Sequence, residues 1–204
     1  MKRSLPSFRK QKLKVFENFA NTGQFVYSIG DSPILRKKLK AVPFKKIAFP
    51  EFQGNLRYLK SCLRRYKKLT GLGKGIAAPQ VGISEKFFIV WIDEKIVTII
   101  NPKITKESKQ LLSYPEVCMS AYPLIAEVIR PSWIEFEYLD EKRNKKIWNT
   151  KDATKQGRIL NRVFEHEIDH LEGIINIDKV PSRSLEFNLD PKSKPKFKKI
   201  VLSR

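Results

Sequence analysis

Apolar residues recur at three- and four-residue steps in two parts of the chain, and each run predicts a helix. Between residues 51 and 69, Leu56, Leu59, Leu63 and Tyr66 mark one face, with Gly71 placed to end it and Cys62 beside it as a small core residue. Leu160, Val163, Phe164, Ile168 and Leu171 mark a second helix, with Thr154 as its N-cap and Gly173 just past its end. Between the two helices the pattern changes. FFIVWI (87–92), IVTIIN (96–101) and LIAEVI (124–129) are β-rich runs, and WIEFEYLD (133–140) alternates cleanly. A turn at Asp93–Glu94 separates the first two, and the charged EKRNK turn leads to a short strand around Ile147–Trp148. Pro33, Pro43 and Pro50 punctuate 28–50, predicting an extended, loop-like stretch. GLGKGIAAPQVG (71–82) is rich in small residues that suit close backbone approach, and YPEVCMSAYP (114–123) lies between strands. Helix, several strands, helix predicts an α+β fold with a mostly antiparallel sheet.

Composition changes this picture at the ends. The chain has 204 residues, of which 41% are apolar, enough for one well-buried domain with extensions. Residues 1–27 lack periodicity and read as a basic extension, with six Lys/Arg and no acid in the first sixteen; an organelle presequence and a plain basic tail both fit. Residues 181–204 read as a basic tail, where PKSKPKFKK (191–199) carries five lysines. The net charge of +20 points to a polyanion, RNA or ribosomes first and an anionic membrane surface second, or to solubility alone. Two cysteines are too few for a disulfide framework, which suits a reducing, cytoplasmic setting. No apolar run reaches the roughly 20 residues of a transmembrane helix.

The candidate chemistry is concentrated in FEHEIDHLEG (164–173), which holds both histidines of the chain. On a helix, His166 and His170 sit one turn apart on the same face. Glu167 completes H-E-x-x-H, an order in which two imidazoles bind an ion and the glutamate handles protons on its water. Catalytic zinc sites usually take three protein ligands. Asn176 stands where the metzincin-type pattern would have a third histidine, so the remaining candidates are Cys118, Glu172 and Glu186, with Cys62 less well placed.

Three segments in order, GKGIAAPQ (73–80), EVCMS (116–120) and HEIDH (166–170), resemble the signature motifs of the peptide deformylases. The resemblance covers about 30–180 and implies a catalytic domain over 28–180, with mostly antiparallel sheets around a central metal-binding helix. It implies a hydrolase that removes formyl groups from N-formylmethionyl nascent peptides. Cys118, His166 and His170 would hold one divalent ion, ferrous iron first, with zinc, nickel or cobalt also suiting the donors. Glu167 would be the general base and acid, and Gln80 with the Met119 N–H would stabilise the oxyanion. Gly73, Lys74, Gly75 and Ile76 would lay backbone against the peptide, while Val117 and Val163 would line the groove. Arg130 and Asp169 would form a supporting ion pair. Two positions depart from the family pattern: Val117 replaces a glycine before the metal cysteine, and Glu165 replaces a glutamine before the first histidine. The expected molecule is a monomer that contacts ribosomal RNA through its basic tails. The competing readings are another H-E-x-x-H protease using Glu186, and a weakly active protein that acts through RNA binding.

Overall fold

The computed structural model describes residues 26–28, 30, 32–70, 72–122, 124–152, 154–187 and 198–200. Helix α1 (Pro50–Thr70) is followed by β1 (Gly75–Ala77), β2 (Phe87–Ile92), β3 (Lys95–Glu107), β4 (Leu111–Val117), β5 (Leu124–Pro131), β6 (Ile134–Leu139) and β7 (Lys145–Asn149). Helix α2 (Lys155–Leu171) comes next, then β8 (Leu185–Phe187) and β9 (Lys198–Ile200). The strands form two antiparallel sheets, of order β1-β2-β3-β6-β7 and β8-β5-β4-β9.

Strand alternation separates two cores. Ile76, Phe87 and Ile89 point to one face of the five-stranded sheet, where they pack with Phe52, Leu56, Leu59 and Leu63 of α1. Ala77, Phe88 and Val90 point to the other, where they meet Phe164 and Leu171 of α2. Phe164 is fully buried, with its ring centroid 4.9 Å from that of Phe136 and 5.1 Å from that of Trp148. Burying such a side chain contributes about 1.5–3 kcal/mol. From its other side α2 sends Arg162 into the four-stranded sheet, so the helix lies between the two sheets. Arg162 donates Nη1–H to the Val128 carbonyl at 3.0 Å and also reaches the Leu112 carbonyl.

The ends of α2 are fixed locally. Thr154 Oγ1 accepts the Gly157 N–H at 3.0 Å, as the expected N-cap should. Gly173 has φ +78°, and a Cβ there would lie 2.7 Å from the Arg36 backbone, so both conformation and space require glycine.

Several elements differ from the sequence expectation. The proline-punctuated stretch contains two 3-10 turns, Pro33–Arg36 and Lys46–Ala48. Ser32 caps the first, and Pro33 there sits where a helix tolerates a missing N–H. The strand expected at 96–101 runs on to Glu107, and the segment before Cys118 is strand β4. β8 and β9, inside the stretch read as a tail, are edge strands of the second sheet. Gly71 and residues 1–25 lie outside the described residues.

Candidate metal centre

Three elements converge on the second turn from the end of α2. His166 and His170 project from the helix with ring centroids 4.9 Å apart. Cys118 follows β4 directly, and its Sγ lies 3.3 Å from His170 Nε2. The ligand atoms of Cys118, His166 and His170 all lie within 4.8 Å of one another, and no other such group occurs among the described residues. A tetrahedral ion with metal–sulfur and metal–nitrogen bonds of roughly 2.3 and 2.0 Å sets its donors about 3.3–3.7 Å apart. The trio therefore fits an ion with little adjustment. Glu186 is exposed on β8, and Glu172 is engaged with Lys38 at 2.7 Å and Lys86 at 2.6 Å. Neither carboxylate joins the cluster.

His166 is oriented from behind. Its Nδ1–H is donated to Glu116 Oε2 at 3.1 Å, which leaves Nε2 for the centre. Glu116 is buried and also accepts from Arg130 at 2.7 and 2.9 Å and from Arg162 at 3.1 Å. Burial opposes charge on Glu116, but Arg130 and His166 outweigh it and hold the carboxyl well below the ordinary range. The expected contact between Arg130 and Asp169 is present at 2.6 Å, and Lys179 lies 3.2 Å from the same carboxylate oxygen. Burial would raise the Cys118 thiol, yet the adjacent His170 and His166 rings lower it well below its usual value, toward the thiolate.

Glu167 faces the same centre. Its Oε2 is buried without a hydrogen-bond partner among the described residues, as is His170 Nδ1. Burial pushes the carboxyl up to about 7, with the two histidines acting in the opposite direction. Gln80 approaches from the other side. Its Oε1 accepts the Ala77 N–H at 2.8 Å, which turns Nε2 toward Ser120 Oγ at 3.2 Å and Cys118 Sγ at 3.8 Å. Met119 opens a 3-10 turn (Met119–Ala121), where the first amides lack intrahelical acceptors.

β1 is an edge strand, and its pairing decides which backbone groups are free. Lys74 O accepts the Trp91 N–H at 2.6 Å, and antiparallel alternation then directs Ile76 to β2 as well. Of the expected Gly73–Ile76 surface, Lys74 and Ile76 are thus spent on the sheet, whereas the N–H and C=O of Gly75 face the open edge. The Ile76 side chain is in the α1 core. Val163 sits beside Gly75, since a Cβ on that glycine would lie 2.9 Å from Val163 Cγ1. Val117 is 46% exposed in regular strand pairing, so its β-branched side chain meets no left-handed backbone. Glu165 is buried behind the centre. It accepts from Asn161 Nδ2 at 2.8 Å and is raised to about 8, chiefly by burial.

Sequence reasoning missed Glu116, Ser120, Arg162 and Asn176. Asn176 donates Nδ2–H to the Glu116 carbonyl at 3.0 Å. Only Glu116 left a local trace: it stands two positions before Cys118, where an alternating strand returns to the same face.

Two histidines and a carboxylate on a helix held between antiparallel sheets, facing a buried cysteine that follows β4, define the site of a metal-assisted hydrolase. The chain belongs to the polypeptide deformylase family, whose family model matches residues 26–186. It is 34% identical over 160 residues to the peptide deformylase of Caldanaerobacter subterraneus subsp. tengcongensis, covering 77% of this chain and 89% of that protein. It is 37% identical over 111 residues to that of Treponema pallidum, covering 54% of this chain and 65% of that relative, just under two thirds. The crystal structure of the peptide deformylase from Thermotoga maritima aligns with a TM-score of 0.65 at 28% identity, covering 78% of this chain and 97% of that one. A probable peptide deformylase from Synechococcus phage S-SSM7 aligns with a TM-score of 0.65 at 30% identity, covering 78% and 100%. The family uses a divalent metal, and the Cys118–His166–His170 donors suit one.

Proposed function

We propose that this chain hydrolyses the formamide bond of N-formylmethionyl peptides, releasing formate and a free amino terminus. The observation that carries the reading is the placement of Glu167, buried and with no partner for Oε2 among the described residues, beside both the three donors and the open edge at Gly75. Cys118, His166 and His170 would hold a divalent ion, whose charge would make water acidic enough to attack near neutral pH. Glu167 takes the proton of the attacking water and returns one to the departing amine nitrogen; a carboxyl poised near 7 suits both transfers. Gln80 Nε2 and the Met119 N–H donate to the formyl oxygen as negative charge develops there. Gly75 pairs with the backbone of the peptide, and Val163 sits at the wall beside it. Glu116 fixes the His166 ring, while Arg130 and Asp169 brace Glu116.

Ferrous iron is the proposed native ion, with zinc, nickel or cobalt acceptable to the same donors. The proposed setting is the cytoplasm, with the chain monomeric and its basic ends meeting ribosomal RNA. No helix among the described residues is long and apolar enough to cross a membrane.

The test is formate release from formyl-Met-Ala-Ser by protein purified anaerobically and loaded with iron, beside Glu167→Gln. Turnover lost in the variant with its metal retained supports the reading. An inactive parent with its metal in place overturns it.

A further inference from the structure

From residue 52 to residue 84 the chain has no acidic residue, yet it carries Arg57, Lys60, Arg64, Arg65, Lys67, Lys68 and Lys74. All but Lys74 lie on α1. Lys60 is bonded to Glu141, and Lys67 lies 4.9 Å over the Trp91 ring. Arg57, Arg64, Arg65 and Lys68 are exposed, and none forms an ion pair with a described residue.

At about 100° per residue, Arg57, Arg64 and Lys68 fall in one line along the helix, with Arg65 beside them. The row spans about 16 Å at roughly 1.5 Å per residue. No described acidic residue pairs with it, and α1 is fixed by Phe52, Leu56, Leu59 and Leu63, all at most 2% exposed. The row is therefore a rigid array of cations. We infer that this face of α1 is a docking surface for the phosphate backbone of duplex RNA.

Charge complementarity and geometry favour that partner. A duplex presents a negative charge about every 1.7 Å along its axis, so the row spans roughly ten charges. Arginine's planar fork suits phosphate oxygens, and three of the four residues are arginines. A membrane is the poorer match, because an interfacial helix inserts an apolar face. The described apolar side chains of α1 are spent on the core apart from Tyr58, at 38% exposure, with Phe49 and Leu72 exposed just beyond its two ends. The choice of RNA over other duplexes rests on the proposed action on nascent peptides. Docking would also orient the active site. A Cβ on Gly73 would lie 2.9 Å from Tyr66 Cδ1 and 3.5 Å from Leu63 Cδ1, so the opposite side of α1 supports the approach to Gly75.

The experiment uses the full chain and a fluorescently labelled RNA hairpin with a stem of about 20 base pairs, followed by anisotropy over a salt series. Arg57, Arg64, Arg65 and Lys68 are replaced together by Gln. The matched control replaces Lys142, Arg143, Lys145 and Lys146, an exposed basic group on the β6–β7 turn and the start of β7. The α1 variant should bind at least tenfold more weakly at about 0.1 M salt, with a salt slope shallower by about three. The control should stay within about twofold of wild type. Equal losses in both variants, or no loss in the α1 variant, overturn the proposal. So does a loss confined to vesicles of phosphatidylglycerol and phosphatidylcholine, which would assign the face to a lipid surface. Both variants should keep wild-type formate release on a short formyl peptide, which verifies their folding. RNA binding by a chain that releases no formate would sink the deformylase reading and leave the docking face standing.

Discussion

Gly75 and Glu167 are in contact across the two halves of the site: a Cβ on the glycine would lie 2.6 Å from Oε1 of the glutamate. One residue presents backbone to the open edge of a sheet, and the other holds the carboxylate proposed to move the proton. The absence of a side chain at 75 thus places the peptide-binding edge directly on the acid–base group. Gly75→Ala should displace Glu167 and lower kcat by about 10²-fold, the cost of a misplacement near 1 Å. Metal content should be unchanged. Formate release and elemental analysis on one preparation check this, and an active alanine variant would mean the contact relaxes freely.

The third donor is tested by a pair of substitutions. Cys118→Ala should purify without its ion, whereas Glu186→Ala should keep it, because Glu186 is exposed on β8. Metal quantification decides between them. The opposite pattern would restore the protease reading.

Glu116 gathers Arg130, Arg162 and His166 around one buried carboxylate. Glu116→Gln removes the charge that balances two buried guanidinium groups, and breaking such a network typically costs about 3–5 kcal/mol. It also loosens the His166 ring, so metal affinity should fall by about 10–100-fold. Thermal melts and chelator competition measure the two effects separately. Weakened metal binding without a lower melting temperature would show that the ion-pair network contributes little to folding.

Gln80 has its amide orientation set by the Ala77 N–H. Gln80→Ala should cut kcat by about 10²–10³-fold with metal retained, the usual loss for one oxyanion donor. A change confined to KM would remove Gln80 from that role.

Glu165 gives a pH signature. Burial raises its carboxyl to about 8, so between the ordinary carboxylate value and 8 the folded chain holds a proton that the unfolded chain has released. Its contribution to stability is present at low pH and declines as pH rises through that window. Glu165→Gln removes this titration. The melting temperature of the variant relative to wild type should therefore rise between about pH 5 and about pH 9. A constant difference would mean that Glu165 is already ionised in the folded protein.

The sequence by itself determined the features that depend on near neighbours. Helix periodicity is local, so the four-residue spacing of His166 and His170, the Thr154 cap and the buried face through Phe164 were all legible. β-rich runs likewise marked β2 and β5, a period-two run marked β6, and three motifs in order pointed to the family. β1 has three residues, too few to show a period, and β8 and β9 lie in a stretch whose lysines and prolines read as a tail. Short strands exist because a partner strand satisfies their backbone, and that partner is remote in sequence.

Tertiary structure alone decided the rest. Cys118 is 52 residues from His170; residue types alone left it beside the carboxylate candidates, the motif resemblance favoured it, and the passage from β4 toward α2 brings it against the histidines. Glu116 and Arg162 become buried, paired charges only when α2 packs between the sheets. Glu165 was legible as a departure from the family pattern, but not its direction, behind the centre rather than into it. Burial and charge pairing depend on distance in space, and the fold sets those distances after local preferences have placed the helices and most of the strands.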